Sequence, residues 1–418
     1  MRFSAFGERF NTEAGILSLM DDLGQAMAGG RKLLLLGGGN PAHIPAVQQC
    51  FRQRMEQIMA TPGEFERIIG NYTSPQGADH FTVALANLFR REFGWEIGSE
   101  NIALTNGSQS AFFYLFNLFG GRRKDGSFGK IMLPMAPEYI GYGDVGAEDH
   151  IFTSCRPQIE FLDGGLFKYH VDFERLEIGD DIGALCVSRP TNPTGNVLTD
   201  EEVDKLSAIA RERDIPFIID NAYGTPFPNI IFTPAQPKWD RHIVLSMSLS
   251  KLGLPGLRSG IVIAEPEIIR AIAGMNAILS LAPGSMAAAL ASEMIDSGEI
   301  IRISRDVVKP YYETKSQKAV TRLQQLLSGL DCFIHKPEGA IFLWLWMRGL
   351  PITSAELYER LKKRGVIIVA GHYFFPGLPD DGWRHRQECV RITFAQDDNV
   401  VEQGLQIIAE EVRNAYRE

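Results

Sequence analysis

The chain has 418 residues, with 42 Lys plus Arg against 51 Asp plus Glu, a formal net charge of −9, 45% hydrophobic and 22% charged residues. That length predicts two packed domains, and the balance excludes a general nucleic-acid binder, which shows a basic excess or a clustered cationic face. The longest apolar stretches, such as 33–39 and 339–347, fall well short of the roughly 18 to 20 residues of a membrane span.

In chain order, Val47, Phe51, Met55 and Ile58 share one face of a helix, and Phe81, Leu85 and Leu88 repeat the pattern. A strand over 101–104 leads through Thr105-Asn106-Gly107-Ser108-Gln109 into 111–119, apolar almost all round and expected as a buried helix. Further strands are expected over 130–133, 184–187, 217–219, 242–245 and 260–264. Between two of them Thr199-Asp200-Glu201-Glu202 is a capping box, opening a helix with Val203, Leu206 and Ala210 on one face. Strand and helix in alternation imply a mostly parallel sheet covered on both faces.

After about residue 300 the pattern changes. A charged helix over 300–330 precedes strands over 332–335 and 340–347, the latter alternating Phe342, Trp344 and Trp346 with Ile341, Leu343 and Leu345. Thr353-Ser354-Ala355-Glu356 caps another helix, 366–369 reads as a strand, and a terminal helix carries Val401, Leu405, Ile408 and Val412. The expected division is an N-terminal segment 1–60 contributing to the smaller domain, a large domain 61–300 and a small α+β domain 301–418.

The five cysteines are scattered and never form a CxxC pair, which suits reduced, buried thiols and offers no start for a metal site. The first ten residues hold no apolar export core, so a cytoplasmic location is expected.

In an open parallel sheet, ligands bind beyond the carboxyl ends of the strands, so the residues there form one set. Gly107-Ser108-Gln109 starts a helix; Pro137-Glu138-Tyr139 and Asn192-Pro193-Thr194-Gly195 each follow a strand. Asp220 and Tyr223 end 217–219, and Ser248-Leu249-Ser250-Lys251 ends 242–245. Taken singly, each is explained as a cap, a turn, a loop carboxylate or a solvated lysine. Five such groups at successive strand ends point to a site. They suit an aldehyde cofactor with a phosphate, a phenolic oxygen and a basic ring nitrogen. Lysine can join the aldehyde and carry protons, a carboxylate can keep the ring nitrogen protonated, and a helix start with hydroxyls and an Arg can cradle phosphate.

SRPTNPTGN, FIIDNAY and SLSKLGLPGLRSG, in that order, resemble the signature of fold-type I pyridoxal-phosphate aminotransferases, and the likeness runs from Gly39-Asn40-Pro41 to VRITFA at 390–395. The resemblance implies an α/β fold with a large, mostly parallel sheet, a smaller α+β domain, pyridoxal 5'-phosphate as cofactor and a homodimer. It implies that Lys251 binds the cofactor aldehyde and shuttles the proton, that Asp220 pairs with the ring nitrogen, and that Asn192 and Tyr223 hold the phenolic oxygen. Tyr139 would stack on the ring. Gly107, the N–H groups of Ser108 and Gln109, the hydroxyls of Ser248 and Ser250, and Arg258 would hold the phosphate. Tyr72 would reach the neighbouring subunit's phosphate, and Arg391 would clamp the substrate carboxylate, with Gly39 beside it. Arg258 stands seven residues after Lys251, one fewer than in several branches, which bears on its contact. The branch nearest in LLGGGNPAHIP and SLSKLGLPGLRSG exchanges L-valine and pyruvate for 3-methyl-2-oxobutanoate and L-alanine, so small aliphatic amino acids and 2-oxo acids are the expected partners.

Three alternatives accompany this reading. Residues 33–42 formally fit a strand plus G-x-G-x-x-A with Glu56 as a ribose-binding acid, the pattern of a nicotinamide-dinucleotide oxidoreductase. A β-lyase or decarboxylase could use the same cofactor and fold. A non-catalytic binding protein on that fold would have no need of Lys251, Asp220 and Arg391 together.

Overall fold

The computed structural model describes residues 2–9 and 33–418. Runs of Ile, Val, Leu and Ala with no polar alternation, buried on both faces, form the first sheet. Its order is Ile102–Thr105, Gly260–Ile263, Ile243–Ser248, Phe217–Asp220, Ile182–Ser188, Phe128–Leu133 and Gly121–Arg122, with Phe152–Ser154 also beside Phe128–Leu133. The central strands are parallel, while Gly260–Ile263 runs antiparallel to both neighbours. Register brings the functional ends level. Ser188, Asp220 and Ser246 lie side by side, and so do Ser248, Gly260 and Thr105.

The helix Ser108–Phe119 buries Ala111, Phe112, Tyr114, Leu115 and Phe116 beside this sheet. The capping box at Thr199 forms: its hydroxyl accepts from Glu202 N–H at 3.1 Å while the Glu202 carboxylate accepts from Thr199 N–H at 2.8 Å.

The second sheet has the order Val369–Ala370, Cys389–Thr393, Phe342–Met347, Cys332–His335, Leu166–His170 and Gln158–Leu162. Its last two strands form a hairpin that falls within 61–300 in sequence, yet joins the C-terminal strands through a parallel pairing of Leu166 with Ile334. The expected strand over 366–369 is divided. Val366–Ile367 pairs with Leu34–Leu35, and Val369–Ala370 pairs with Cys389–Thr393, because each half meets a different partner. Trp344 and Trp346 are both core residues.

The charged segment after 300 is helical but not uniformly α. Glu299–Ile303 passes through a π turn, Ser304–Val308, into Lys309–Leu326. Pro310 explains the interruption: it lacks an N–H and its ring excludes the carbonyl four residues earlier, at Asp306, which lies in the π turn.

The dinucleotide reading fails on topology. Leu34–Leu35 pairs with a C-terminal strand, the following helix Pro45–Ala60 leaves Glu56 exposed, and the next described strand begins only at Ile102.

Candidate active site

The level strand ends place Lys251 at the centre. It follows Ile243–Ser248 in the short turn Ser250–Leu252, and its Nζ donates to the Gly39 carbonyl at 2.7 Å and lies 5.3 Å from the Tyr223 ring centroid. Burial, reinforced by the positive charge of Arg391, pulls its amine down to about 8; Asp220 opposes the shift. A larger share of the amine is therefore neutral, and nucleophilic, near neutral pH.

Asp220 ends its strand with a buried carboxylate. Its Oδ2 accepts from the Tyr142 hydroxyl at 2.8 Å and its Oδ1 from Ala222 N–H at 3.0 Å. Burial nonetheless pushes it up to about 6. A carboxylate so placed fits a cationic partner, such as a protonated ring nitrogen, which would favour its charged form. Beside it Glu138, fully enclosed, accepts from Ser188 N–H at 2.8 Å and from the Ser188 hydroxyl; burial pushes it to about 8.

Arg391 is 3% exposed in the middle of Cys389–Thr393. Its Nη1 donates to Asn192 Oδ1 at 2.7 Å and its Nη2 to the Gly37 carbonyl at 2.6 Å, while Nε is buried without a hydrogen-bond partner. The guanidinium carbon lies 4.1 Å from the Phe342 ring centroid and 5.2 Å from that of Phe374. Burial pulls even this group down to about 10. A cation held in the dark with an unused donor suits a carboxylate. The Asn192 loop is itself anchored: buried Lys168 donates to Asn196 Oδ1 at 2.9 Å and to the Val197 carbonyl at 3.1 Å, and pairs with Glu338.

At the opposite end Gly107 caps the helix Ser108–Phe119 with φ of 90°, a left-handed geometry that side chains resist, and a Cβ there would collide with the Arg258 guanidinium. Arg258 reaches that point because its own backbone turns left-handed, φ 49°, after the Pro255–Leu257 turn. The seven-residue spacing from Lys251 thus still sets the guanidinium on the helix start. Ser250 N–H donates to Ser248 Oγ at 3.0 Å, the Ser108 hydroxyl donates to the Met247 carbonyl at 3.0 Å, and Gln109 Nε2 donates to the Gly141 carbonyl at 2.9 Å. The first N–H groups of a helix have no intrahelical acceptor, so an exposed Arg over a glycine cap makes an anion cradle.

The remaining expected residues divide in two. Tyr139 meets Tyr142 edge-on at 5.4 Å, and Tyr223 meets Phe342 at 6.0 Å, both within the site. Tyr72 does not join them: it is 81% exposed in this single chain. The sequence reading missed Tyr142, Gly37, Phe342 and Phe374. Tyr142 had a signal, three residues after Tyr139 in the same short segment; the others act through a carbonyl or a ring face, which carries no residue-type signature.

Residues 147–408 match the family model for aminotransferase class I and II. Valine–pyruvate aminotransferase of Escherichia coli (strain K12) is 52% identical over 418 residues, 100% of both chains. The chain belongs to the class I and II aminotransferases. Among solved structures, valine-pyruvate aminotransferase from Salmonella typhimurium LT2 superposes with a TM-score of 0.89 at 53% identity, covering 97% of this chain and 100% of that one. Aspartate aminotransferase from Thermus thermophilus, at 21% identity, has a TM-score of 0.77 over 98% of this chain and 100% of that one, a likeness of fold. This aminotransferase thus has the fold-type I architecture, and its family is in general dependent on pyridoxal phosphate.

Proposed function

We propose that this aminotransferase binds pyridoxal 5'-phosphate and exchanges L-valine and pyruvate for 3-methyl-2-oxobutanoate and L-alanine. The observation that supports the chemistry is the placement of Lys251 in a site with one anion cradle at Gly107 and Arg258 and a second cation at Arg391. The substrate pair is supported by 52% identity to the Escherichia coli relative across the whole of both chains.

The cofactor would supply an aldehyde that captures amines and a ring that takes up the electron pair left at the substrate α-carbon. The protein supplies the rest. Gly107, Ser108, Gln109, Ser248, Ser250 and Arg258 hold the phosphate. Asp220, oriented by Tyr142 and Ala222, keeps a proton on the ring nitrogen. Asn192 spends its Oδ1 on Arg391, which leaves its amide N–H groups to donate to the phenolic oxygen alongside the Tyr223 hydroxyl. Tyr139 would pack against the ring, Arg391 would hold the substrate carboxylate, and the Lys251 amine would take up the substrate α-proton as a general base. The first oxo acid would leave with one water consumed and its amino group retained in the site, and the second oxo acid would take up that amino group and return the water, in a ping-pong cycle.

Tyr72 is assigned to the phosphate of a neighbouring subunit. It lies in a segment with exposed Ile69, tied to 280–285 by the Ser285 hydroxyl donating to the Ile68 carbonyl at 2.7 Å. Exposed Ile278, Leu279 and Leu281 continue that apolar area, and Asn106, next to Gly107, donates to Ser280 Oγ at 3.0 Å. A homodimer closed across this surface would place Tyr72 of one subunit near the cradle of the other.

The test is an amino-donor screen with purified protein and added cofactor. L-Valine with pyruvate, and L-alanine with 3-methyl-2-oxobutanoate, are expected to be among the fastest pairs. Reaction of aspartate or aromatic donors with neither valine nor alanine turning over would overturn the substrate assignment and leave the fold intact.

A further inference from the structure

The loop from Gly37 to Ala42 touches both reactive cations through its backbone. Its Gly37 carbonyl accepts from Arg391 and its Gly39 carbonyl from Lys251, at 2.6 and 2.7 Å. Three consecutive glycines, 37 to 39, leave such a loop with little intrinsic preference, and holding each residue in one conformation costs backbone entropy. Something must fix it from outside.

Two contacts do so. On the N-terminal side Thr393 N–H donates to the Leu36 carbonyl at 2.8 Å, tying the loop to the strand that carries Arg391. On the C-terminal side Ala42 N–H donates to the Tyr312 hydroxyl at 2.7 Å, a contact spanning 270 residues. Tyr312 is fully buried on the helix Lys309–Leu326, packed edge-on against Tyr311 at 5.4 Å.

We infer that Tyr312 is a positioning residue for this transaminase: its hydroxyl anchors the Gly37–Ala42 loop, and through the Gly37 carbonyl of that loop sets the Arg391 guanidinium for the substrate carboxylate. The inference rests on the proposed transaminase reading for its kinetic consequence, but its structural part is independent of it. Because Arg391 meets the carboxylate common to amino and oxo acids, loosening the loop weakens every substrate alike. That is a loss of uniform binding, which raises KM and leaves kcat nearly unchanged.

The experiment uses the full-length protein reconstituted with pyridoxal phosphate, wild type beside Tyr312→Phe, which keeps the ring packing and removes only the hydroxyl. Hydrogen exchange of the backbone amides is followed together with steady-state kinetics. In the wild type the Ala42 amide is expected to be protected. In Tyr312→Phe its exchange accelerates while amides within Lys309–Leu326 stay as they were, and KM for L-valine and for pyruvate rises together by about two- to ten-fold, the scale of one neutral hydrogen bond. Rapid exchange of Ala42 in the wild type, or unchanged Ala42 exchange and KM in the variant, overturns the inference. Failure of the wild type to turn over L-valine would count against the substrate assignment alone, since the exchange data still decide whether Tyr312 holds the loop.

Discussion

Arg258 and Arg391 bring the same guanidinium to opposite ends of one site, in surroundings that differ in almost every respect. Arg258 is exposed, sits on left-handed backbone, donates to the Pro255 carbonyl at 3.1 Å and rests on a helix start that offers further N–H donors. Arg391 is buried in a strand, held at two nitrogens and placed against two aromatic rings. Under the proposed function the first end keeps a resident phosphate, where many shared contacts suffice and solvent screening is tolerable. The second end must seize a carboxylate that arrives and leaves each cycle, so its orientation is fixed and its water removed in advance.

The largest expected effect of breaking this contrast is at the buried end. Arg391→Lys keeps a charge but loses the planar fork and its two fixed partners, and kcat/KM is expected to fall by about two to three orders of magnitude, the scale for a desolvated charge contact. Cofactor retention, read from absorbance after gel filtration, should change little.

At the exposed end the pattern should invert. Gly107→Ala places a methyl against the Arg258 guanidinium and forces a side chain onto backbone at φ 90°. The cofactor dissociation constant is expected to rise about ten- to a hundred-fold, matching one lost charge-assisted hydrogen bond plus backbone strain. With saturating cofactor, kcat/KM for L-valine should stay near wild type. Equal loss of cofactor in both variants would erase the distinction between the two ends.

The smallest effect concerns pH. The Lys251 amine, at about 8 instead of its ordinary 10.5, attacks only when neutral, so the rate at which cofactor-free protein captures pyridoxal phosphate should climb with pH and level off above about 8. Arg391 is the foremost charge depressing that amine and Arg258 the lesser one. Arg391→Met should therefore move the midpoint to higher pH, and Arg258→Gln should move it less. Stopped-flow absorbance across pH reads both shifts.

Much of this site could be read from the sequence because its chemistry depends on residue type at a strand end. Lys251, Asp220 and Asn192 each carry a functional group that the proposed chemistry asks for and follow or end strands that hydrophobic runs marked, whereas Arg391, in the middle of Cys389–Thr393, was reached through the family resemblance. What escaped depends on contacts between distant segments. Leu34–Leu35 looks like the start of a nucleotide-binding unit until its pairing with Val366–Ile367 is seen. The hairpin Gln158–His170 interrupts the first sheet in sequence, between Phe152–Ser154 and Ile182–Ser188, but joins the second. Gly37 contributes only a carbonyl, and Tyr312 acts across 270 residues, so neither leaves a local pattern.

The central claim is that Lys251, poised between the two cationic ends, is the amine that carries the cofactor. Borohydride reduction of the cofactor-loaded protein, followed by peptide mass spectrometry, tests it most directly. A pyridoxyl-phosphate mass on the peptide containing Lys251, absent from a Lys251→Ala variant, is the predicted result. Stoichiometric labelling of a different lysine, or of none in protein that still turns over L-valine, would contradict it.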